Sequence, residues 1–467
     1  MASDRRALRR MMLEDAEAVV RIDEAKPDPE APPFVPQPQS VQETGLDFGL
    51  LLDLCIKWIY YSGRPMARDL AARMSLPFYI VEELLDFMKE QQYCEVVGSD
   101  SALGQQTYRY SLSVKGTSKA EEVLRRGQYV GPAPIPFDQY LSILGQQSVR
   151  DLSVDRGTVE RALADLVLSE ATVDAIGPAI NSSKSVLIYG DSGNGKSTIA
   201  SAIGEMLPGQ VLIPYALEVY GQIVKVFDPR LHTEIRDDFL LEKRQHEVPV
   251  TTGPERRRDR RWAVARRPLI IAGGELTLAD LELRFNSVSK LYVAPFQVQA
   301  NGGVLVIDDF GRQIVEPREL LNRWIVPMDR GWDHLTLHTG ETIQVPFEVL
   351  LVFSTNLPPA QLGDEAFFRR IRHKVQVPDP SRADFIEILR RVCQAEGIDF
   401  DGEIVDHMVE EYYVQAGRPF RGCHPRDIVE LMEDIAAFSG KDRALTRELV
   451  DVACRSYFVD LTRDRAA

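Results

Sequence analysis

Residues Ser185 to Ala200, SVLIYGDSGNGKSTIA, decide how this chain folds. Ser185 to Tyr189 reads as a short buried strand. Gly190 to Ser197 is a G-x-x-x-x-G-K-[ST] loop, and Thr198 to Met206 reads as a helix. Strand, glycine loop and helix in that order are the setting the pattern requires. Backbone N–H groups of a tight loop can converge on a densely anionic triphosphate only where side chains are missing, which explains Gly190, Gly193 and Gly195. The helix behind the loop turns its positive end toward the same phosphates. Lys196 adds a full charge at the β and γ oxygens, and the Ser197 hydroxyl can ligate Mg²⁺.

A second apolar run, Gly303-Val-Leu-Val-Ile-Asp308-Asp309, reads as a buried parallel strand. Such a strand is apolar throughout and presents a carboxylate from its carboxyl tip to the metal shell; Asp308 takes that place. Asp309 is set to align an attacking water. A third strand, Val349 to Asn356 (VLLVFSTN), ends in a polar tip, where Asn356 can hold a water or a γ-phosphate oxygen. Next come Arg369 and Arg370, an edge strand at Val375-Gln-Val, and four helical stretches: Arg382 to Gln394, Glu403 to Ala416, Pro425 to Phe438 and Arg447 to Leu461.

Upstream, residues 1–44 are proline-rich, lack apolar periodicity and are expected to be disordered. Residues 45–127 predict helix, helix, turn, helix and β-hairpin with a closing helix, a winged-helix-like order. The third helix carries Glu82, Glu83, Asp86 and Glu90 against one base, Lys89. That surface opposes phosphates and favours protein contacts over DNA. Residues 128–153 read as a stiff proline-rich linker, and Val154 to Ile180 as helical. Beyond the loop, Val211 to Phe227 predicts a hairpin and Val288 to Gln299 a helix. Arg256, Arg257, Arg258, Arg260, Arg261, Arg266 and Arg267 form a basic run. It reads as a solvated loop, an anion-binding patch or an inter-subunit contact.

The length of 467 residues suggests about three domains. A net charge of −15 argues against general polyanion binding. Five scattered cysteines without a C-x-x-C pair exclude a disulfide framework and fit a reducing cytosol. No run approaches the ~18 apolar residues of a membrane span, and the charged N-terminus is no secretory signal. A cytoplasmic protein is expected.

GDSGNGKS, VLVIDD, VFSTN, FFRRI and HPRD occur in that order. Together they resemble an AAA+ ATPase over about Val154 to Leu461. ANGGVLVIDDFGR is also similar to relatives with an insert in the second helix, while the Asp-Asp pair is more like helicase loaders. The resemblance implies an α/β fold: a parallel-sheet P-loop core at 154–380, a C-terminal helical lid at 381–467 and the winged-helix-like domain in front. It implies ATP and Mg²⁺ as cofactors, with the loop residues Gly190, Asp191, Ser192, Gly193, Asn194, Gly195, Lys196, Ser197 and Thr198 holding the nucleotide. Ser197 and Asp308 then serve the metal. Lys196, Asp308, Asp309 and Asn356 serve the reaction, and Arg426 resembles the sensor-two arginine of the lid. Arg370 resembles the arginine finger, with Arg369 as the alternative. Asp309 departs from the glutamate that many relatives carry. An arginine on the far edge must serve a neighbouring subunit, so the resemblance implies a ring, most often of six, acting on a protein client. The alternatives are a DNA-associated regulator or loader and a slow nucleotide-gated scaffold. Tyr292 and Phe296 lie where a channel loop is expected, although both also fit a core.

Overall fold

The computed structural model describes residues 31–99, 104–235, 257–362 and 368–458. At its centre lie strands β1 (Val186–Tyr189), β2 (Leu269–Ala272), β3 (Val304–Ile307), β4 (Leu350–Thr355) and β5 (His373–Gln376). Every pairing among them is parallel, in the order β5-β1-β4-β3-β2. Their side chains alternate between two cores, which is why the sequence is apolar without alternation. Val186, Ile188, Val306 and Val352 pack with Ile199 and Ile203 of helix Lys196–Met206. Leu187, Leu305, Leu351 and Phe353 pack on the other face with Leu320 and Trp324 of helix Pro317–Arg330.

The chain leaves β1, runs to the far edge at β2, returns through β3 and β4, and then crosses to β5 on the other side of β1. Connections diverge at β1, and in open parallel sheets ligands bind beyond the carboxyl ends at such a point. Register fixes what meets there. Ile307 is level with Phe353, and Thr355 with Tyr189. Asp308, Asn356 and Gly190, which follow these strands, therefore share one edge.

Between β1 and β2 the chain forms a second unit. Gln210–Pro214 pairs antiparallel with Trp262–Arg266. Hairpin Ala216–Val219/Gln222–Lys225 belongs to a mixed five-stranded sheet with Ile135–Pro136, Leu291–Val293 and Arg284–Asn286. The expected helix over Val288 to Gln299 is therefore wrong in its first half, and only Phe296–Gln299 is helical. Pairing with a strand nearly seventy positions away overrides local preference there. Tyr292 is fully buried and Phe296 packs beside the core, so both are core residues.

The N-terminal unit contains helices Phe48–Ser62, Ala67–Met74 and Phe78–Glu90, strands Cys94–Ser99 and Tyr108–Leu112, and helix Val114–Arg126. Two expectations change around it. Residues 1–30 lie outside the described residues, but 31–44 are not loose. Thr44 and Val41 are buried, and the Asp259 N–H donates to the Val35 carbonyl at 2.9 Å. The span 128–153 is not a free linker either. Ala133 and Ile135 are fully buried, Ile135–Pro136 joins the mixed sheet, and Phe137–Gln146 is helical. Local composition marks proline-rich chain as extended, but it does not show which surface lies beneath.

Arg261 clasps these parts. Its side chain and that of Asp259 are each 2% exposed and paired at 2.8 Å. The remaining guanidinium donors reach the Thr44 carbonyl at 2.9 Å and the Pro134 carbonyl at 3.3 Å. Arg267 is half-buried, donating to the carbonyls of Gly302, Pro208 and Gln147, and burial lowers its pKa to about 10. Both side chains are thus committed within the fold, while Arg257, Arg260 and Arg266 stay exposed.

The C-terminal bundle comprises Arg382–Glu396, Gly402–Val409 with a π-turn continuation at Glu410–Val414, His424–Ser439 and Arg447–Tyr457. Its core holds Phe385, Leu389, Met408, Tyr413, Val429 and Leu449. Ser381 and Asp384 form a capping box at its start, and Gly397, left-handed, closes the first helix.

Candidate functional site: a phosphate loop under a helical lid

The loop after β1 is shaped by close backbone approach. Gly190 has φ 154, and a Cβ there would lie 2.2 Å from the Val377 carbonyl oxygen beside β5. Gly193 has φ 85, and a Cβ there would meet the Cys423 Sγ of the lid at 2.5 Å. Gly195, at φ 79, opens the helix. No residue with a side chain adopts these conformations readily. Lys196 is buried and its Nζ donates to the Asp191 carbonyl at 2.7 Å. Burial lowers the Lys196 pKa, and the carboxylates of Asp309, Asp308 and Asp191 oppose that shift. Asp191, Ser192, Ser197 and Thr198 are exposed on the rim, whereas Asn194 is buried.

Across the cleft, Asp309 holds φ 49, a left-handed conformation uncommon outside glycine and often found at functional sites. Its N–H donates to Asp308 Oδ1 at 3.0 Å. Asn356 Nδ2 donates to Asp309 Oδ1 at 2.7 Å. The tip of β4 therefore orients the second acid of the pair rather than standing alone. Gln313 Nε2 braces the turn through the Asp308 carbonyl at 2.9 Å.

The lid closes the third side through a residue that sequence reasoning missed. Arg421 Nη1 lies 2.5 Å from Asp191 Oδ2 and also pairs with Asp379, just past β5. Asn194 Nδ2 donates to Asp379 Oδ1 at 2.7 Å, and the Gly422 N–H donates to Asn194 Oδ1 at 3.1 Å. Arg426, expected at the phosphates, is exposed at the start of helix His424–Ser439. Arg426 lies within the HPRD motif and Arg421 three residues before it, and only the turn Arg421-Gly422-Cys423 shows which meets the loop.

Arg369 and Arg370 lie elsewhere. The Arg370 carbonyl accepts from Ser185 Oγ at 3.1 Å, at the amino end of β1, while the glycine loop leaves its carboxyl end. At about 3.3 Å per residue, the intervening strand separates them by roughly 13 Å. Arg370 Nε pairs with Asp329 Oδ2 at 2.9 Å, and its side chain is 17% exposed. Arg369 is exposed.

These residues fit a magnesium nucleotide. The loop carries three glycines at positive φ ahead of a helix, a buried ammonium stands among carboxylates, and Ser197 and Asp308 offer two hard oxygen donors. No group of three or more His, Cys, Asp or Glu able to hold a metal occurs among the described residues. Two protein ligands suit Mg²⁺, which takes the rest of its shell from phosphate and water.

A separate groove of about 520 Å³ lies along helix Phe78–Glu90, lined by Phe48 and Phe87 with Glu82, Glu83, Asp86 and Glu90.

The fold and site define an α/β core with a parallel sheet and a P-loop. Comparison with known proteins adds the following. A family model described as a domain of unknown function (DUF8689) matches residues 381–456, the C-terminal helical bundle. No curated protein matches the chain in sequence. Similar solved structures include a RuvB mutant from Thermotoga maritima, at 12% identity, covering 67% of this chain and 74% of that one, with TM-score 0.34. NtrX from Brucella abortus matches at 16%, 71%, 66% and 0.37. Domain III of the Thermotoga maritima replication initiation protein DnaA matches at 13%, 66%, 100% and 0.34. Overlap at this level decides nothing about activity. No described helix is long and apolar enough to cross a membrane.

Proposed function

We propose that this chain is a Mg·ATP-binding and hydrolysing ATPase of the AAA+ type that works as an oligomer to remodel or regulate a protein client. One observation carries the reading: Lys196, the Asp308–Asp309 pair and Asn356 converge on the carboxyl edge where the glycine loop opens. Mg²⁺ held by Ser197 and Asp308 would neutralise phosphate charge. Lys196 binds the β and γ oxygens. Asn356 fixes one oxygen of Asp309, whose carboxylate then orients the attacking water and takes its proton. The shorter aspartate is expected to give slow turnover.

Charge at the leaving phosphates must also be met from outside, because the Arg369–Arg370 corner is a strand's length from its own loop. We assign the reaching role to Arg369, the exposed member, with Arg370 tied to Asp329 as its support. That makes the site a subunit seam and favours a closed ring. The acidic, aromatic groove on helix Phe78–Glu90 suits a basic segment of a protein client better than DNA. Five free cysteines fit a cytoplasmic setting.

The test is fluorescent-nucleotide titration with phosphate release on the full chain. Lys196→Ala is expected to weaken ATP binding at least ~100-fold, in keeping with loss of a buried charge-assisted contact. Wild-type-like binding would sink the reading. The exposed Arg257, Arg260 and Arg266 support a second reading, a DNA-associated regulator. A salt-sensitive shift of duplex DNA, lost on their replacement by Ala, would favour it.

A further inference from the structure

The lid and the glycine loop interlock through more than shape. Asp191 and Asp379 share the Arg421 guanidinium, and Asp379 also accepts from Asn194, whose own carbonyl takes the Gly422 N–H. Gly422 and Gly193 permit the approach: a Cβ at 422 would sit 3.1 Å from the Gly193 carbonyl oxygen. Two carboxylates share the one guanidinium, at the mouth of the glycine loop. The Arg421 side chain is 21% exposed and that of Asp191 59%, so the pair is reachable and can rearrange. A guanidinium binds phosphate at least as well as carboxylate, and in the same forked geometry.

We propose that Asp191 and Asp379, which hold the Arg421 guanidinium until phosphate displaces them, set the threshold for triphosphate binding. This rests on the reading of the loop as a nucleotide site. Arg421 passes from the aspartates to the incoming phosphate oxygens. Asp379 keeps Asn194 as a partner after the exchange, and Asp191 is left facing solvent. Binding and lid position are thereby coupled through one side chain. The arrangement predicts opposite consequences for the two ends of the same ion pair. A bond serving only the fold would give changes of one sign.

The experiment uses the full chain with a fluorescent ATP analogue, in titration, together with thermal melting without nucleotide. Arg421→Ala is expected to weaken binding about tenfold or more. Asp379→Asn keeps the shape, removes the competing charge, and is expected to tighten binding about threefold or more while lowering the melting temperature of the protein alone. Arg421→Lys, which keeps charge but loses the fork, should fall between, and it serves if Arg421→Ala proves unfolded. The proposal is overturned if Asp379→Asn weakens binding, or if neither variant changes it. Lys196→Ala runs alongside. If it loses binding while Arg421 and Asp379 variants bind as wild type does, only this inference fails. If it binds normally, the nucleotide site itself is misread and this inference falls with it.

Discussion

The two ends of β1 make an instructive pair. At the carboxyl end, Lys196 and Arg421 both reach Asp191, and Asn356 holds Asp309. At the amino end, Arg370 pairs with Asp329, and Arg369 is exposed. On the proposed reading, the first corner grips an anion by itself and the second offers its cations to a neighbouring subunit. A site divided in this way would bind alone and react in company, and each end is open to attack.

The largest effect is expected at Gly190. With a Cβ 2.2 Å from the Val377 carbonyl, Gly190→Val should cost more than about 4 kcal/mol, or abolish nucleotide binding outright. Melting and titration check this, and a stable, binding variant would show the loop conformation to be misjudged. At the opposite end, Arg369→Ala should retain binding yet lower phosphate release about 1,000-fold in the assembled protein. Arg370→Ala should do less to turnover and lower the melting temperature through the lost Asp329 pair. If Arg370 proves the more damaging of the two, the roles assigned here are reversed. If neither matters, the seam is not catalytic. Asp309→Asn sharpens the near end: release should drop about 100-fold, with affinity changed less than about threefold.

The smallest expected effect is one of pH. Burial, aided by Arg421 and Arg418 against Asp427 and Asp379, lowers the His424 pKa to about 4. The unfolded chain takes up this proton below about 6.5, and the folded one only near 4. The neutral imidazole's contribution to stability is therefore complete above 6.5 and declines as pH falls toward 4. Melting temperature should fall across that window, and His424→Gln should flatten the slope. An unchanged slope would mean that the lid start is more open to water than its packing indicates.

Much of this was legible beforehand because it is local. A glycine loop, a wholly apolar strand and a polar tip each declare themselves in a few residues, and the candidate site is assembled from such pieces at strand ends. Where the reading failed, the deciding partner was distant. Leu291–Val293 became a strand by pairing with Gln222–Lys225. Arg261 left the basic run to join Asp259, Thr44 and Pro134 inside the protein. The C-terminal bundle's contact with the loop fell to Arg421 rather than to Arg426 of the HPRD motif, because the turn ahead of the helix brings residues 421–423 against the loop.

Residue type and spacing alone determined that a glycine loop, an acidic pair and a polar tip meet at the carboxyl edge of a parallel sheet, because strand period, glycine conformation and charge are properties of short segments. Which carboxylates hold the lid's cation, and which arginine looks outward, only the tertiary structure decided. Those outcomes depend on close approaches between segments far apart in sequence, such as Asp191 and Arg421, and pairwise distance has no signature in either segment by itself.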